Sequence, residues 1–191
     1  KCGSSLISSN FVLTAGHCSR ASDRDTTISD PVPKIVRLGD KNIIDVYTNG
    51  FLPNDAKIIK IIMHPKYRPP KKYYDIALIK LENDVMFSKY VQPACLWTRY
   101  NTSILGTEAT LTGWGVVETS KILFSLFSTN GDSGGPLQVK IPLPITTEGN
   151  MHYIVGVTSF GIGCALPNLP GIYSRVSMYL DWIESIVWPM L

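Results

Sequence analysis

The sequence is poor in charge and lacks a long apolar run, and each shortage excludes a class of protein. Charged residues make up only 17% of the 191 residues, and the formal net charge is +3. This weak basic balance does not indicate a nucleic-acid-binding protein. Lysines interrupt the longest apolar stretch, residues 57–63, so no segment is long and apolar enough to span a bilayer. We therefore expect neither nucleic acid nor a membrane among the partners.

Cysteine is also scarce, with only Cys2, Cys18, Cys95 and Cys164. None of their spacings is typical of a zinc site, and we predict no metal and no other cofactor. Four cysteines allow three pairings, of which Cys2 with Cys18 is favoured because it closes a short loop. Together with the glycosylation sequon at Asn101, the cysteines favour a secreted, extracellular chain.

What the sequence does contain is a series of short segments rich in β-branched residues and separated by Gly, Pro, Asn and Asp. They are residues 5–7, 11–14, 34–38, 56–62, 76–81, 108–112, 137–141, 153–157 and 171–176, with a further candidate at 121–127. This pattern predicts an all-β protein built as an antiparallel barrel or sandwich. Apolar residues recur at helical intervals between 176 and 187, which predicts one C-terminal helix capped by Ser177 and ended by Pro189.

The segment NGDSGGP, residues 130–136, surrounds Ser133 with glycines. A serine hydroxyl becomes a nucleophile only when a base lies in reach and an acid orients that base. The amides of Gly131 and Ser133 could then stabilise a developing oxyanion. The alternative interpretation is a serine in an ordinary tight turn.

The chain has three candidates for the base, His17, His64 and His152. His17 is favoured because small residues and Cys18 surround it in TAGHC, whereas the other two are interpreted as structural. Asp75 is the candidate acid, since it stands directly before an apolar strand. The alternative for Asp75 is a strand-start residue bonded to nearby backbone amides.

The motifs TAGHC, DIALIKL and GDSGGP, in this order, resemble the trypsin-like serine proteases of the chymotrypsin fold. Gly113-Trp114-Gly115, PGIY at 170–173 and YLDWI at 179–183 extend the resemblance along nearly the whole chain. It implies one trypsin-like peptidase domain over residues 1–191. That domain would consist of two antiparallel six-stranded Greek-key β-barrels, the first over 1–100 and the second over 101–191 with the C-terminal helix.

The resemblance also implies a role for each site residue. His17 would be the general base and acid, Asp75 would orient it, and Ser133 would attack the substrate carbonyl. The amides of Gly131 and Ser133 would form the oxyanion hole. The substrate-binding residues would be Ser159, Phe160, Gly161 and Gly171.

VRLGD at 36–40 and VQPACL at 91–96 resemble the clip-domain proteases of arthropod immune and developmental cascades most closely. In that group a cysteine like Cys95 links the protease to its upstream regulatory domain. The resemblance therefore implies protein or peptide substrates, a regulatory domain linked through Cys95, and inhibitors of the serpin type. Since the sequence here begins at Lys1, Cys95 is expected to be unpaired.

The chain departs from the family pattern in two ways. Relatives begin with an Ile-Val-Gly-Gly-like sequence whose amino group pairs with the acid at Asp132, so we expect this chain to be a fragment lacking the mature amino terminus. Gly131 follows Gly113 by only 18 residues, whereas relatives carry roughly thirty more, about three strand-and-turn units. The second barrel is therefore expected to be incomplete, with at most five strands.

The same shortening affects Cys164 and the specificity pocket. Thr129 stands where relatives have the cysteine that pairs with Cys164, which is expected to be unpaired. Phe127 stands where trypsin-like members have the acid at the pocket floor, while Gly161 and Gly171 resemble members that cleave after Lys or Arg. The resemblance thus implies a secreted serine endopeptidase in a proteolytic cascade. The alternatives are a catalytically inactive homologue that acts as a binding or regulatory partner, and a β-rich binding domain unrelated to proteases.

Overall fold

The computed structural model describes residues 2–22, 29–40, 54–105, 108–113, 122–123, 133–143, 150–161 and 171–189. The strands in these ranges are β1 Ser5–Leu6, β2 Phe11–Thr14, β3 Ile35–Leu38, β4 Asn54–Met63, β5 Ala77–Leu81, β6 Cys95–Leu96, β7 Glu108–Leu111, β8 Ile122–Leu123, β9 Pro136–Pro142, β10 Asn150–Gly161 and β11 Gly171–Arg175. One α-helix, α1, spans Leu180–Val187. The prediction of an all-β fold with a C-terminal helix is confirmed.

The first sheet has the strand order β1-β2-β5-β4-β3, with antiparallel pairing throughout. Along β2, Phe11 pairs with Lys80 and Thr14 pairs with Ala77 of β5. This register places Val12 and Leu81 in one buried apolar cluster. The sheet is stable because burial of these β-branched and leucine side chains removes apolar surface from water.

The second sheet has the order β11-β10-β9-β7-β8, and β6 pairs in parallel with β10. Among the described residues of 101–191, five strands, β7 to β11, belong to this sheet, and the limit of five strands for the whole of that half stays a prediction. The sixth, β6, precedes residue 100 and joins the sheet through Tyr153 and Ile154. The chain therefore crosses to the second sheet just before the boundary that the sequence predicts between the barrels.

One apolar cluster joins the two sheets and the helix. It contains Leu13 and Leu78 of the first sheet, Ile154 and Val157 of β10, and Ile183 of α1. All five side chains are at most 1% exposed. The interface between the sheets is thus a shared core, and residues at its rim are held from both sides.

The predicted helix start is wrong. A single 3₁₀ turn, Val176–Met178, follows β11, and α1 begins only at Leu180 with Tyr179 as N-cap. Ser177 lies inside that turn, two residues before the N-cap, and its buried hydroxyl has no hydrogen-bond partner among the residues that the structure describes. The helix ends at Val187, two residues before Pro189, as the proline predicts. No helix in the described ranges is long and apolar enough to cross a membrane.

Candidate active site

His17 lies on a single 3₁₀ turn, Gly16–Ser19, that follows the end of β2. The next residue, Cys18, forms a disulfide with Cys2, with an S–S distance of 1.95 Å. The backbone N–H of Cys18 donates to the carbonyl oxygen of Ala15 at 3.1 Å. The turn is thus tied covalently on one side of the imidazole. The same disulfide leaves neither sulfur as the thiolate that a metal ion would need.

Asp75 contacts His17 through both carboxylate oxygens. Oδ1 accepts the backbone N–H of His17 at 2.8 Å, and Oδ2 lies 2.8 Å from the ring atom Nδ1. Asp75 is fully buried, whereas the side chain of His17 is 23% exposed. Because the ionised carboxylate can only accept, the proton of the neutral imidazole belongs on Nδ1. Nε2 then carries a lone pair and can act as a base.

Two serine hydroxyls from the second sheet add to the hold on Asp75. Ser159 donates to Oδ2, and Ser174 donates to the carbonyl oxygen at 2.7 Å. Burial by itself raises the pKa of the Asp75 carboxyl, but the hydrogen bonds from His17 and Ser159 outweigh it, and the pKa lies below its ordinary value. The carboxylate is therefore ionised at neutral pH although it is buried.

Gly16 allows the turn to pack closely against the acid. A Cβ atom at this position would lie 3.0 Å from Cδ1 of Tyr67 and 3.2 Å from Oδ1 of Asp75. Any larger residue would press on the carboxylate that orients His17. The TAGHC motif therefore has a steric reason for its glycine.

Ser133 is positioned through its own backbone and that of its neighbours. Its carbonyl oxygen accepts the N–H of Gly3 at 2.8 Å, and Gly134 N–H donates to the carbonyl oxygen of Thr158 at 2.8 Å. Gly134 has φ +80°, and a Cβ there would lie 2.3 Å from Oγ1 of Thr14. In the described part of the chain, no hydrogen bond joins the Ser133 hydroxyl to His17. Such contacts between nucleophile and base are often long when no substrate is bound.

The predicted substrate-binding residues lie together at one end of the second sheet. Phe160 pairs with Ile172 and Gly161 pairs with Gly171 across β10 and β11. A Cβ on Gly171 would lie 2.6 Å from the Tyr173 hydroxyl oxygen. Ser159 lies in β10, two residues before its end, and its side chain reaches Asp75. Sequence reasoning assigned Ser159 to substrate binding and missed this contact with the acid.

The contact of Ser174 with Asp75 was also missed. Ser174 and Asp75 do not share a sequence motif. Only the pairing of β10 with β11 and the packing of the two sheets bring them together. A serine beside a buried aspartate has no signal in the sequence, since 99 residues separate the two.

The remaining predicted residues lie apart from this cluster. Cys95, on β6, is partly buried and forms no disulfide with any residue that the structure describes, so its link to a regulatory domain stays a prediction. Asn101 is exposed, and its Oδ1 accepts the Ser103 N–H at 2.8 Å. His152 lies on the exposed face of β10, where its Nδ1 is 2.9 Å from Gln138 Oε1.

Some predictions fall on positions outside the described residues. These are the roles of Gly131, Asp132, Cys164, Phe127 and Thr129. The oxyanion hole, the activation-linked acid and the pocket floor therefore stay predictions from sequence. Of the oxyanion pair, the described part of the site contains only Ser133.

Comparison with known proteins relates the chain to serine proteases. It matches the family described as Trypsin over residues 1–128 and 125–183. It is 35% identical to Serine protease snk of Drosophila melanogaster, over 98% of this chain and 49% of that protein. It is 34% identical to Serine protease Hayan of the same species, over 99% of this chain and 35% of Hayan. For Phenoloxidase-activating factor 3 of Holotrichia diomphalia the identity is 33%, over 97% of this chain and 64% of the relative.

The chain is shorter than these relatives, and its alignment with one of them contains gaps. The chain spans at most about half the length of the two Drosophila relatives. The alignment with Serine protease snk covers 230 positions, but 98% of 191 residues is only about 187, which leaves about 43 positions as gaps in this chain. The two parts of the family match meet at residues 125–128, within the segment that the motif spacing predicts to be shortened.

Proposed function

Because the chain belongs to the trypsin family of serine proteases, we propose that it cleaves peptide bonds through an acyl-enzyme, with His17, Asp75 and Ser133 as its catalytic residues. By family it is a serine endopeptidase related to arthropod proteases. The observation that carries the proposal is the pair of 2.8 Å contacts by which buried Asp75 holds His17. A histidine held in this way presents Nε2 as a base towards a nucleophile.

In the first half of the reaction, Ser133 Oγ forms a bond to the substrate carbonyl carbon while its proton passes to His17 Nε2. The resulting imidazolium is stabilised by the carboxylate of Asp75. When the bond from carbon to nitrogen breaks, the same proton passes from Nε2 to the leaving amine. The products of this half are a free amine and an ester on Ser133.

In the second half, water replaces the amine. His17 accepts a proton from the water as its oxygen bonds to the acyl carbon, and then returns a proton to Ser133 Oγ as the ester bond breaks. The negative charge on the carbonyl oxygen in both halves would be stabilised by the backbone amides of Gly131 and Ser133.

Substrate is proposed to bind along the edge of β10 at Ser159, Phe160 and Gly161, with Gly171 opposite. The pairing of Gly161 with Gly171 supports an open entrance, since neither residue has a side chain. Cleavage after Lys or Arg is the preference that this opening favours. The first sheet would belong to a unit over residues 1–100, and the second sheet, apart from β6, to a unit over residues 101–191.

We place the protein outside the cell and in a cascade. A disulfide between Cys2 and Cys18 suits an oxidising compartment, and the exposed sequon at Asn101 suits N-glycosylation there. One relative is named as an activating factor for phenoloxidase, which supports a protein substrate. Serpin-type inhibitors would act on the same serine, and Asp132 would pair with the amino terminus of the mature chain.

The test is labelling of the folded chain with a fluorophosphonate, which reacts with activated serines. We expect one phosphonylated residue, identified by mass spectrometry as Ser133, and no labelling of Ser133→Ala. His17→Ala should label far more slowly, because no base then accepts the serine proton. Ser88→Ala, at an exposed serine far along the chain, is the matched control and should label like the wild type.

A folded wild-type sample that fails to label would overturn catalysis and favour the inactive homologue. Labelling that persists in Ser133→Ala would show that a different serine is activated. Circular dichroism and urea unfolding of each variant establish that the samples compared are folded.

A further inference from the structure

The residue before Asp75 has an unusual backbone. Tyr74 has φ +57°, which lies in the left-handed region. A residue with a Cβ atom is disfavoured there relative to glycine, because Cβ approaches the following carbonyl oxygen. Tyr74 therefore needs compensating contacts in order to hold this conformation.

The Tyr74 ring has such contacts. It stacks on His64 with ring centroids 5.1 Å apart and planes inclined by 10°. The ring of Tyr179, at the start of α1, meets it edge-on at 6.3 Å. The ammonium group of Lys66 lies 5.5 Å from the centroid of the Tyr74 ring. Stacked and edge-on rings at these distances attract one another beyond simple burial.

His64 extends these contacts to the C-terminal helix. Its ring lies 5.3 Å from that of Tyr179 and 5.0 Å from that of Trp182, edge-on in both cases. Burial and the charge of Lys66 keep the pKa of His64 below its ordinary value, so the ring is neutral at pH 7. We call His64, Tyr74, Tyr179 and Trp182 the aromatic clamp.

The backbone transmits the conformation of Tyr74 directly to the acid. The N–H of Ile76 donates to the carbonyl oxygen of Tyr74 at 2.8 Å, which closes a tight turn around Asp75. The N–H of His64 donates to the carbonyl oxygen of Ile76 at 3.0 Å. Tyr74 and Ile76, which flank Asp75, are thus hydrogen-bonded to each other, and Ile76 is also hydrogen-bonded to His64.

We propose that the aromatic clamp is a positioning element for Asp75: it stabilises the left-handed backbone of Tyr74 and so holds the Asp75 carboxylate against His17. This proposal rests on the proposed function for its catalytic meaning, but not for its geometry. Tyr74 and His64 are positioning residues that act through Asp75. The C-terminal helix contributes Tyr179 and Trp182, and so it supports the site as well as the core.

The test combines two measurements on the complete chain. The first is the proton NMR signal of His17 Nδ1–H, which is strongly deshielded only while that proton is bonded to the Asp75 carboxylate. The second is the rate of fluorophosphonate labelling at Ser133. The NMR signal does not require turnover, and its assignment is verified by its loss in His17→Ala.

Tyr74→Ala keeps the Cβ but removes the ring, so its labelling rate should fall about tenfold, with a weakened Nδ1–H signal. Tyr74→Gly removes both the ring and the steric cost. It should keep the signal and label within about threefold of the wild type. Tyr73→Ala is the matched control, because Tyr73 adjoins Tyr74 but is 77% exposed and outside the clamp. It should behave like the wild type.

His64 gives a second, independent pair of variants. His64→Ala removes the stacking partner and should resemble Tyr74→Ala. His64→Phe restores a flat ring of similar size and should recover most of the signal and the rate. If His64→Ala acted only by destabilising the fold, its unfolding midpoint would be lower than that of His64→Phe. Equal unfolding midpoints, together with recovery of the signal and the rate in His64→Phe, therefore indicate an effect on the position of Asp75.

The proposal is overturned if Tyr74→Ala keeps wild-type signal and rate, if Tyr74→Gly loses both as fully as Tyr74→Ala, or if the wild type has no Nδ1–H signal. Should Tyr74→Ala not fold, the comparison of Tyr74→Gly with the wild type decides. The wild type could show the Nδ1–H signal without being labelled at Ser133. If the signal is then kept in Tyr74→Gly and weakened in Tyr74→Ala, the proposed function is refuted and the role of the aromatic clamp is supported.

Discussion

The acid–base pair and the serine turn are held in different ways. Asp75 and His17 are joined by side-chain contacts at 2.8 Å, and hydroxyls from Ser159 and Ser174 bond to the same acid. Ser133 is held through its backbone, by Gly3 and by the glycine that follows it. The orientation of the base is thus fixed by side-chain chemistry, whereas the serine is placed by the course of the chain.

The difference teaches where each half of the site is vulnerable. Replacing one carboxylate oxygen of Asp75 by an amide nitrogen changes the hydrogen bonding of His17 without moving the backbone. Replacing a hydrogen on the Cα of Gly134, beside Ser133, by a methyl group moves the backbone without altering any reacting group. The two kinds of substitution should therefore separate activity from stability.

Asp75→Asn should have the largest effect. The amide cannot replace a carboxylate as acceptor from both His17 donors, and it favours the wrong imidazole tautomer. We expect the rate of ester or peptide hydrolysis to fall about 10⁴-fold at neutral pH. Asp181→Asn, at an exposed acid on α1, is the control and should retain full activity. Less than a tenfold loss in Asp75→Asn would contradict the role of Asp75.

Gly134→Ala should have the largest effect on stability. The new Cβ would meet Thr14 Oγ1 at 2.3 Å and the carbonyl oxygen of Gly3 at 2.5 Å, at φ +80°. Strain and overpacking together should lower the free energy of unfolding by about 3 kcal/mol, as measured by urea unfolding. Gly156→Ala, where the nearest atom is Cβ of Tyr173 at 3.2 Å, should cost less. Equal costs would show that the turn at Ser133 is not sterically fixed.

How far the sequence predicts this molecule depends on whether the signal is local. The strand at residues 11–14 and the helix stop at Pro189 follow from composition and spacing within a few residues. His17 could be singled out because small residues and a cysteine surround it in TAGHC. Asp75 could be singled out because it stands directly before an apolar strand. Their contact with each other could be expected only from the resemblance to serine proteases that these motifs carry.

Features that need pairing between distant segments could not be predicted. The hydroxyl of Ser174 reaches Asp75 only through the packing of the two sheets. The two-residue strand β6 forms because β10 offers it an edge, and no propensity in two residues predicts that. Ser177 has the right chemistry for a helix cap, but β11 continues into a 3₁₀ turn there, and tertiary packing overrides the local preference.

Acid should weaken the buried pair in a defined direction. Since the pKa of Asp75 is lower in the folded chain than its ordinary 3.8, its contribution to stability is fully present above that value. It is lost as the pH falls through the lower folded pKa. The free energy of unfolding of the wild type, minus that of Asp75→Asn, should shrink as the pH falls below about 4. A difference that grows as the pH falls below about 4 would reverse the assigned sign.

The exposed pair Arg37 and Asp55 offers the smallest effect and a matched contrast to the buried one. Its distances, 2.7 Å and 2.8 Å, resemble those between His17 and Asp75, but the two side chains are 27% and 35% exposed. Because water competes for both charges, Asp55→Asn should lower the free energy of unfolding by only about 0.5 kcal/mol. Labelling at Ser133 should not change. A loss of activity in this variant would mean that the edge of the first sheet is coupled to the site, and that burial alone does not separate the two carboxylates.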